Sequence, residues 1–114
     1  MQTYILNILG SKWKLKIVPR SYDPMMAECD GFTDRSTKTM YVAEKSVGEI
    51  CDLRDWEAYQ KVVKRHEIIH AFMYESGLAQ SWEHTSYSHD ETTVDWFAIQ
   101  FPKIQKVFEQ AEAI

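Results

Sequence analysis

An α+β fold is predicted for this chain: a small antiparallel or mixed sheet from the N-terminal part, packed on one long helix and a second, C-terminal helical segment. Three observations predict it. Trp13, Leu15 and Ile17 alternate strictly with Lys12, Lys14 and Lys16, the two-residue period of a strand with one wet face. From Asp52 the apolar residues recur at three- and four-residue steps, the period of a helix. A length of 114 residues, 45% of them apolar and 26% charged, suffices for one core and not two, so residues 1–114 are expected to form a single domain.

The elements follow in order. Tyr4-Ile5-Leu6-Asn7-Ile8-Leu9 and the run from Lys12 to Val18 are joined by Gly10-Ser11, a two-residue link typical of a hairpin, and Pro19 ends the pairing. Asp23-Pro24 and Asp30-Gly31 punctuate an irregular stretch with room for one helical turn from Met25 to Glu28. Met40 and Val42 alternate with Thr39 and Tyr41, giving a hairpin or a single strand entered through the polar turn before Lys38. Three or four strands are expected in all.

Leu53, Trp56, Tyr59 or Gln60, Val63, Ile69 and Met73 then form a helical stripe that Gly77 stops after six or seven turns. Residues 79–88 are polar and aperiodic and form the connection. A second helix starts near Ser88 or His89, with Val94, Phe97 or Ala98, and Phe101 on its apolar side. Pro102 breaks or kinks it, and Ile104, Val107, Phe108 and Ala111 carry the apolar face onward. Trp56, Tyr59 and Phe72 read as core or part-buried aromatics, Trp96 as facing core or cleft, and Tyr41 as lying on the wet side of its strand.

Charge excludes some functions. With 13 basic and 17 acidic residues the net charge is −4, so a basic footprint for nucleic acid is missing, and the three lysines read as a solvated strand face. The early apolar run is too short and too soon interrupted for a signal peptide or a membrane span, which predicts a cytoplasmic protein. Cys29 and Cys51 fit neither a disulfide framework nor a cysteine-rich zinc knuckle and read as reduced thiols.

The chemistry sits in His66-Glu67-Ile68-Ile69-His70, an HExxH pattern inside the long helix. Histidines at i and i+4 project from one face a turn apart and can grip one metal ion, while Glu67 is placed to take a proton from a water on that metal. The pair lies on or beside the apolar stripe, where polar groups need partners. A catalytic zinc needs a third protein ligand, and Glu91, near the start of the second helix, is the first choice; His89 is its main rival, with Asp90 and His84 behind. Asp95, four residues after Glu91, is expected to accept the ring N–H of a ligating histidine, His66 above all. Tyr87, His84 and His89 are candidates to stabilise the oxyanion, with Tyr87 preferred.

His66-Glu67-Ile-Ile-His70-Ala-Phe, followed by Glu91-Thr-Thr-Val-Asp95-Trp-Phe97-Ala98, resembles the zincin metallopeptidases of the gluzincin kind. Within them it is similar to the ImmA/IrrE-type proteins and to small phage-encoded metallopeptidases. Glu91, Val94, Asp95, Phe97 and Ala98 fall on that family's second-helix run, with Thr93 where its inner glutamate stands and Asp95 where it has asparagine. The Glu91–Asp95 pair also resembles the glutamate ligand and supporting aspartate of thermolysin-like enzymes. The likeness covers residues 31–102 and implies a minimal zincin-like fold, with the strand around Met40 to Val42 as the edge strand that aligns an extended peptide.

The expectation is therefore a zinc-dependent metallopeptidase acting on a peptide or protein, with His66, His70 and Glu91 on the metal and Glu67 as general base. A non-catalytic zinc-binding zincin-like protein of phage or mobile-element origin is the alternative. A small helical interaction module without metal comes third, since it leaves the motif histidines unexplained.

Overall fold

A computed structural model describes residues 1–45, 54–79 and 91–114, and within the last segment leaves aside the side chains of residues 91, 92, 94, 95 and 98. Four strands, β1 (Gln2–Ile8), β2 (Ser11–Val18), β3 (Gly31–Asp34) and β4 (Thr39–Ala43), precede two helices, α1 (Trp56–Ser76) and α2 (Glu91–Gln110). The sheet is mixed, in the order β1-β2-β4-β3, with β4 parallel to β2 and the other two pairings antiparallel.

The first hairpin turns one residue earlier than expected. Leu9 and Gly10 form the link, both with positive φ (53° and 91°), and Ser11 already pairs with Ile8. Either link keeps the apolar residues on one face, so periodicity cannot choose between them. Turn chemistry does: two positive φ values match the strand twist, glycine takes the second of them, and the Asn7 carboxamide accepts the Gly10 N–H.

After Pro19 the chain makes two short 3-10 turns, Arg20–Tyr22 and Pro24–Ala27. Arg20 holds this stretch together, donating to the carbonyls of Met26, Cys29 and Lys45 and pairing with Asp30 at 2.7 Å. Asp34 accepts from Ser36 and Thr37 and closes the β3–β4 hairpin. Because β4 inserts between β2 and β3, it is an inner strand. Of the two edges, β3 lies beside α1 and β1 beside α2, which corrects the assignment of the edge role to Met40–Val42.

Helix α1 begins at Trp56, later than the Asp52 expected, because the Asp55 carboxylate caps it by accepting the Ala58 N–H. Gly77 ends it in the left-handed conformation, as its sequence position predicts. Leu53 and Cys51 lie outside the described residues. The buried face is Val63, Lys64, Glu67, Ile68, Ala71 and Phe72, turned from the expected stripe; Ile69 and Met73 flank it and Tyr59 is exposed. Two buried polar residues, Lys64 and Glu67, hide this face from an apolar count.

Helix α2 runs unbroken through Pro102, which is exposed, although its ring removes one donor from the helix ladder. Among its described side chains the buried line is Thr93, Trp96, Ile104, Val107 and Phe108, continued by Ala111 beyond the helix, while Phe97 and Phe101 are exposed. Phe101, and Phe97 as the alternative to Ala98, were expected on the apolar side; the side chain of Ala98 lies outside the described residues. The core gathers these residues with Leu6, Ile8, Trp13, Leu15, Ile17, Met40 and Val42 from the sheet; Val18, Met26 and Ala43 form a small cluster on the other sheet face.

Lys64 is 6% exposed, and its ammonium reaches the carbonyls of Ala111 (3.2 Å) and Glu112 (3.4 Å) and lies over the Tyr4 ring. Arg65 adds a 2.7 Å bond to the Ala113 carbonyl. Desolvation lowers the Lys64 pKa, against the pull of Glu112. Lys64→Met keeps the apolar stem and removes the donor, and is expected to cost about 1–3 kcal/mol in urea unfolding, the penalty for buried acceptors left without a partner. An unchanged midpoint would remove this clamp from the account of how the chain's last residues are held.

Candidate metal centre

His66 and His70 both lie on the exposed side of α1, next to its buried face rather than within it. Their Nε2 atoms are 3.1 Å apart and the rings meet edge to face at 73°. Two nitrogens bound to one tetrahedral zinc at about 2.0–2.1 Å lie about 3.3 Å from each other. The spacing of the pair, also that of a hydrogen bond between the two rings, is close to that of two ligands on one ion, and imidazole nitrogens are donors that zinc accepts. Desolvation, then the neighbouring His66, lowers the His70 pKa, which favours the neutral ring that ligates.

Glu67, the neighbour of His66, turns toward the sheet. It is 4% exposed, and the Thr33 hydroxyl donates to its Oε1 at 2.7 Å. Burial raises its pKa above the ordinary carboxylate value, while the Thr33 bond and His66 oppose the rise. A cleft of about 200 Å³ opens here between β3 and α1, with Gly31, Val63, His66 and Glu67 among its walls and Asp30 and Tyr59 at its side.

Gly31 makes this approach possible. A Cβ there would stand 2.8 Å from the Tyr41 carbonyl oxygen, 2.9 Å from Val63 Cγ1 and 3.1 Å from Glu67 Oε2. The Ala43 N–H bonds to the Asp30 carbonyl at 2.9 Å, so by antiparallel alternation the N–H and C=O of Gly31 and Thr33 are directed away from β4. Sequence reasoning missed both residues. Gly31 resembles a plain turn glycine after Asp30, and Thr33 belongs to a polar run whose partner is 34 positions away.

Glu91 opens α2 and Asp95 follows one turn later, but their side chains are outside the described residues. Tyr87, His84, His89 and Asp90 lie outside them altogether. Trp96 faces the core and donates to Ser76 Oγ at 2.9 Å, so the N-terminal part of α2 meets the C-terminal end of α1. Position 91 is about 7.5 Å of helical rise from that meeting point and His70 about 9 Å. Among the described residues no group of three metal-ligating side chains comes together, and no helix is long and apolar enough to cross a membrane. The chain matches no known family, no curated protein and no solved structure.

Proposed function

We propose that the protein is a zinc-dependent metallopeptidase. The observation that carries this reading is the convergence of the His66 and His70 Nε2 atoms to 3.1 Å, one residue from a buried glutamate that lines a cleft under a sheet edge. His66, His70 and Glu91 are the proposed ligands, with Asp95 orienting an imidazole. Bound there, zinc supplies an acidified water and polarises the scissile carbonyl.

The chain's own residues do the rest. Glu67 Oε1 is held by Thr33, which leaves Oε2 to take a proton and return it to the departing amine. Its raised pKa suits this, because a carboxylate that binds protons more readily is the stronger base. The outward backbone groups of Gly31 and Thr33 suit an extended peptide paired along β3. Tyr87 is assigned to the oxyanion.

Metal content per chain tests the site, measured by plasma mass spectrometry on protein purified without a metal-binding tag. About one zinc in wild type is expected, most of it lost in Glu91→Ala and much less in Asp95→Ala. Outer partners typically cost 10–100-fold in affinity and ligands more. The reverse order would move the ligand to Asp95, and a metal-free wild type after zinc loading would end the proposal. A second reading, zinc binding without catalysis, draws on one observation: the Glu67 carboxylate is buried and already engaged by Thr33.

A further inference from the structure

Away from the histidine pair, the tip of the β1–β2 hairpin, the second half of α2 and one residue of α1 enclose a cavity of about 500 Å³. Asn7 and Leu9 stand on the hairpin side, Lys103 and Lys106 on the α2 side, and the buried side chains of Phe72 and Val107 form an apolar floor between them. Phe72 follows His70 by two positions, about 200° around the helix. The cavity therefore meets α1 on the side away from the histidines.

Its charge runs against that of the chain. The protein carries a net charge of −4, yet among the described residues the ionisable groups lining this cavity are both lysines. Lys103 and Lys106 are three positions apart on α2, so one face of the helix holds both ammonium groups, and neighbouring like charges on a helix repel. Among the described residues neither has an ion-pair or hydrogen-bond partner. Across from them, Asn7 Oδ1 accepts the Gly10 N–H at 2.9 Å, which leaves the amide N–H groups of Asn7 as further donors. Leu9 holds a φ of 53° at a turn position that asparagine or glycine takes at lower cost, and its side chain adds apolar surface to the cavity.

We propose that this cavity binds a small organic anion with an apolar body, an aryl or alkyl carboxylate or phosphate. The acid group lies beside Lys103 and Lys106 and relieves their repulsion, the Asn7 carboxamide donates to it, and the body covers Phe72 and Val107. Size favours a small molecule as the occupant. Pockets of about 300–1,000 Å³ with an apolar lining and a few placed polar groups are the usual form of such sites. The site stands apart from the proposed metal centre, so either can fail without the other.

Fluorescence titration of the full chain with anilinonaphthalene sulfonate, an apolar body with one anionic group, tests this. Phenylnaphthylamine supplies the same body without the charge. Saturable binding of one sulfonate per chain is expected. Lys103→Gln combined with Lys106→Gln is expected to weaken the sulfonate about tenfold, the worth of two partly exposed ion pairs, with the uncharged probe and circular dichroism unchanged. Lys14→Gln combined with Lys16→Gln removes the same charge from the sheet face away from the helices and is expected to leave both probes unaffected. In nitrogen–proton correlation spectra the Gly10 N–H and the Asn7 side-chain amide are expected to shift as the sulfonate is added. Naphthoate and naphthyl phosphate are both expected to displace it, and the tighter of the two identifies the acid group. Absence of saturable binding, an equal loss in the Lys14 and Lys16 variant, or an equal loss of the uncharged probe would each overturn the proposal. Displacement by a glutamate-rich peptide as effective as by naphthyl phosphate would overturn it too, by making the occupant a polypeptide.

Discussion

Glu67→Gln is expected to retain zinc while peptide hydrolysis falls about 10²–10⁴-fold, the usual worth of a positioned general base. Glutamine has the same shape and still offers an oxygen to the Thr33 hydroxyl, so the bond at 2.7 Å can persist. It cannot take a proton. Burial already disfavours the Glu67 charge, so its removal should leave unfolding by urea almost unchanged. His70→Ala, by contrast, is expected to lose zinc and hydrolysis together. Zinc content, turnover of a mixed peptide substrate and urea unfolding, measured on all three proteins, separate the roles. Equal zinc loss in both variants would make Glu67 part of the metal site, and a zinc-loaded wild type without turnover would favour the non-catalytic reading.

The second large effect is expected at Gly31. Its φ lies outside the left-handed region, so substitution there is a question of space alone. The atom nearest to an added Cβ is the Tyr41 carbonyl oxygen, at 2.8 Å, and backbone cannot step aside without opening the β3–β4 ladder. Gly31→Ala is expected to destabilise by about 1–3 kcal/mol and Gly31→Val by more, in the manner of overpacked cores. If β3 moves off α1 to relieve the clash, Thr33 moves with it and Glu67 loses its donor. Urea denaturation gives the cost. A Gly31→Val protein as stable as wild type would mean that the strand and helix can separate freely.

Much of this was legible in the sequence, for local reasons. Alternation located β2 and β4, the two-residue link placed β1 beside β2, and Gly77 marked the end of α1, because strand period, turns and helix capping are written within a few residues. Strand order was not legible: β4 lies parallel to β2 and inside the sheet, which depends on how the chain between them folds back. The buried side of α2 was hidden because polar Thr93 lies on it while Phe97 and Phe101 lie off it. At the candidate site the histidine pair could be read from its spacing. The setting of Glu67 could not, since Gly31 and Thr33 reach it only through tertiary contact.

The clamp at Lys64 has a consequence for the order in which the chain becomes structured during synthesis. Its ammonium lies over the ring of Tyr4, near the beginning, and bonds the carbonyls of Ala111 and Glu112, 47 and 48 positions downstream. On a ribosome, the sheet and α1 emerge long before those carbonyls. Until they arrive, the ammonium in the apolar seat of the helix bearing His66 and His70 has the hydroxyl and ring of Tyr4 but lacks the two carbonyls, so the final docking of that helix waits for residues 111–113. The helix that bears His66 and His70 therefore takes its fixed place only once residues 111–113 are there to accept from Lys64 and Arg65.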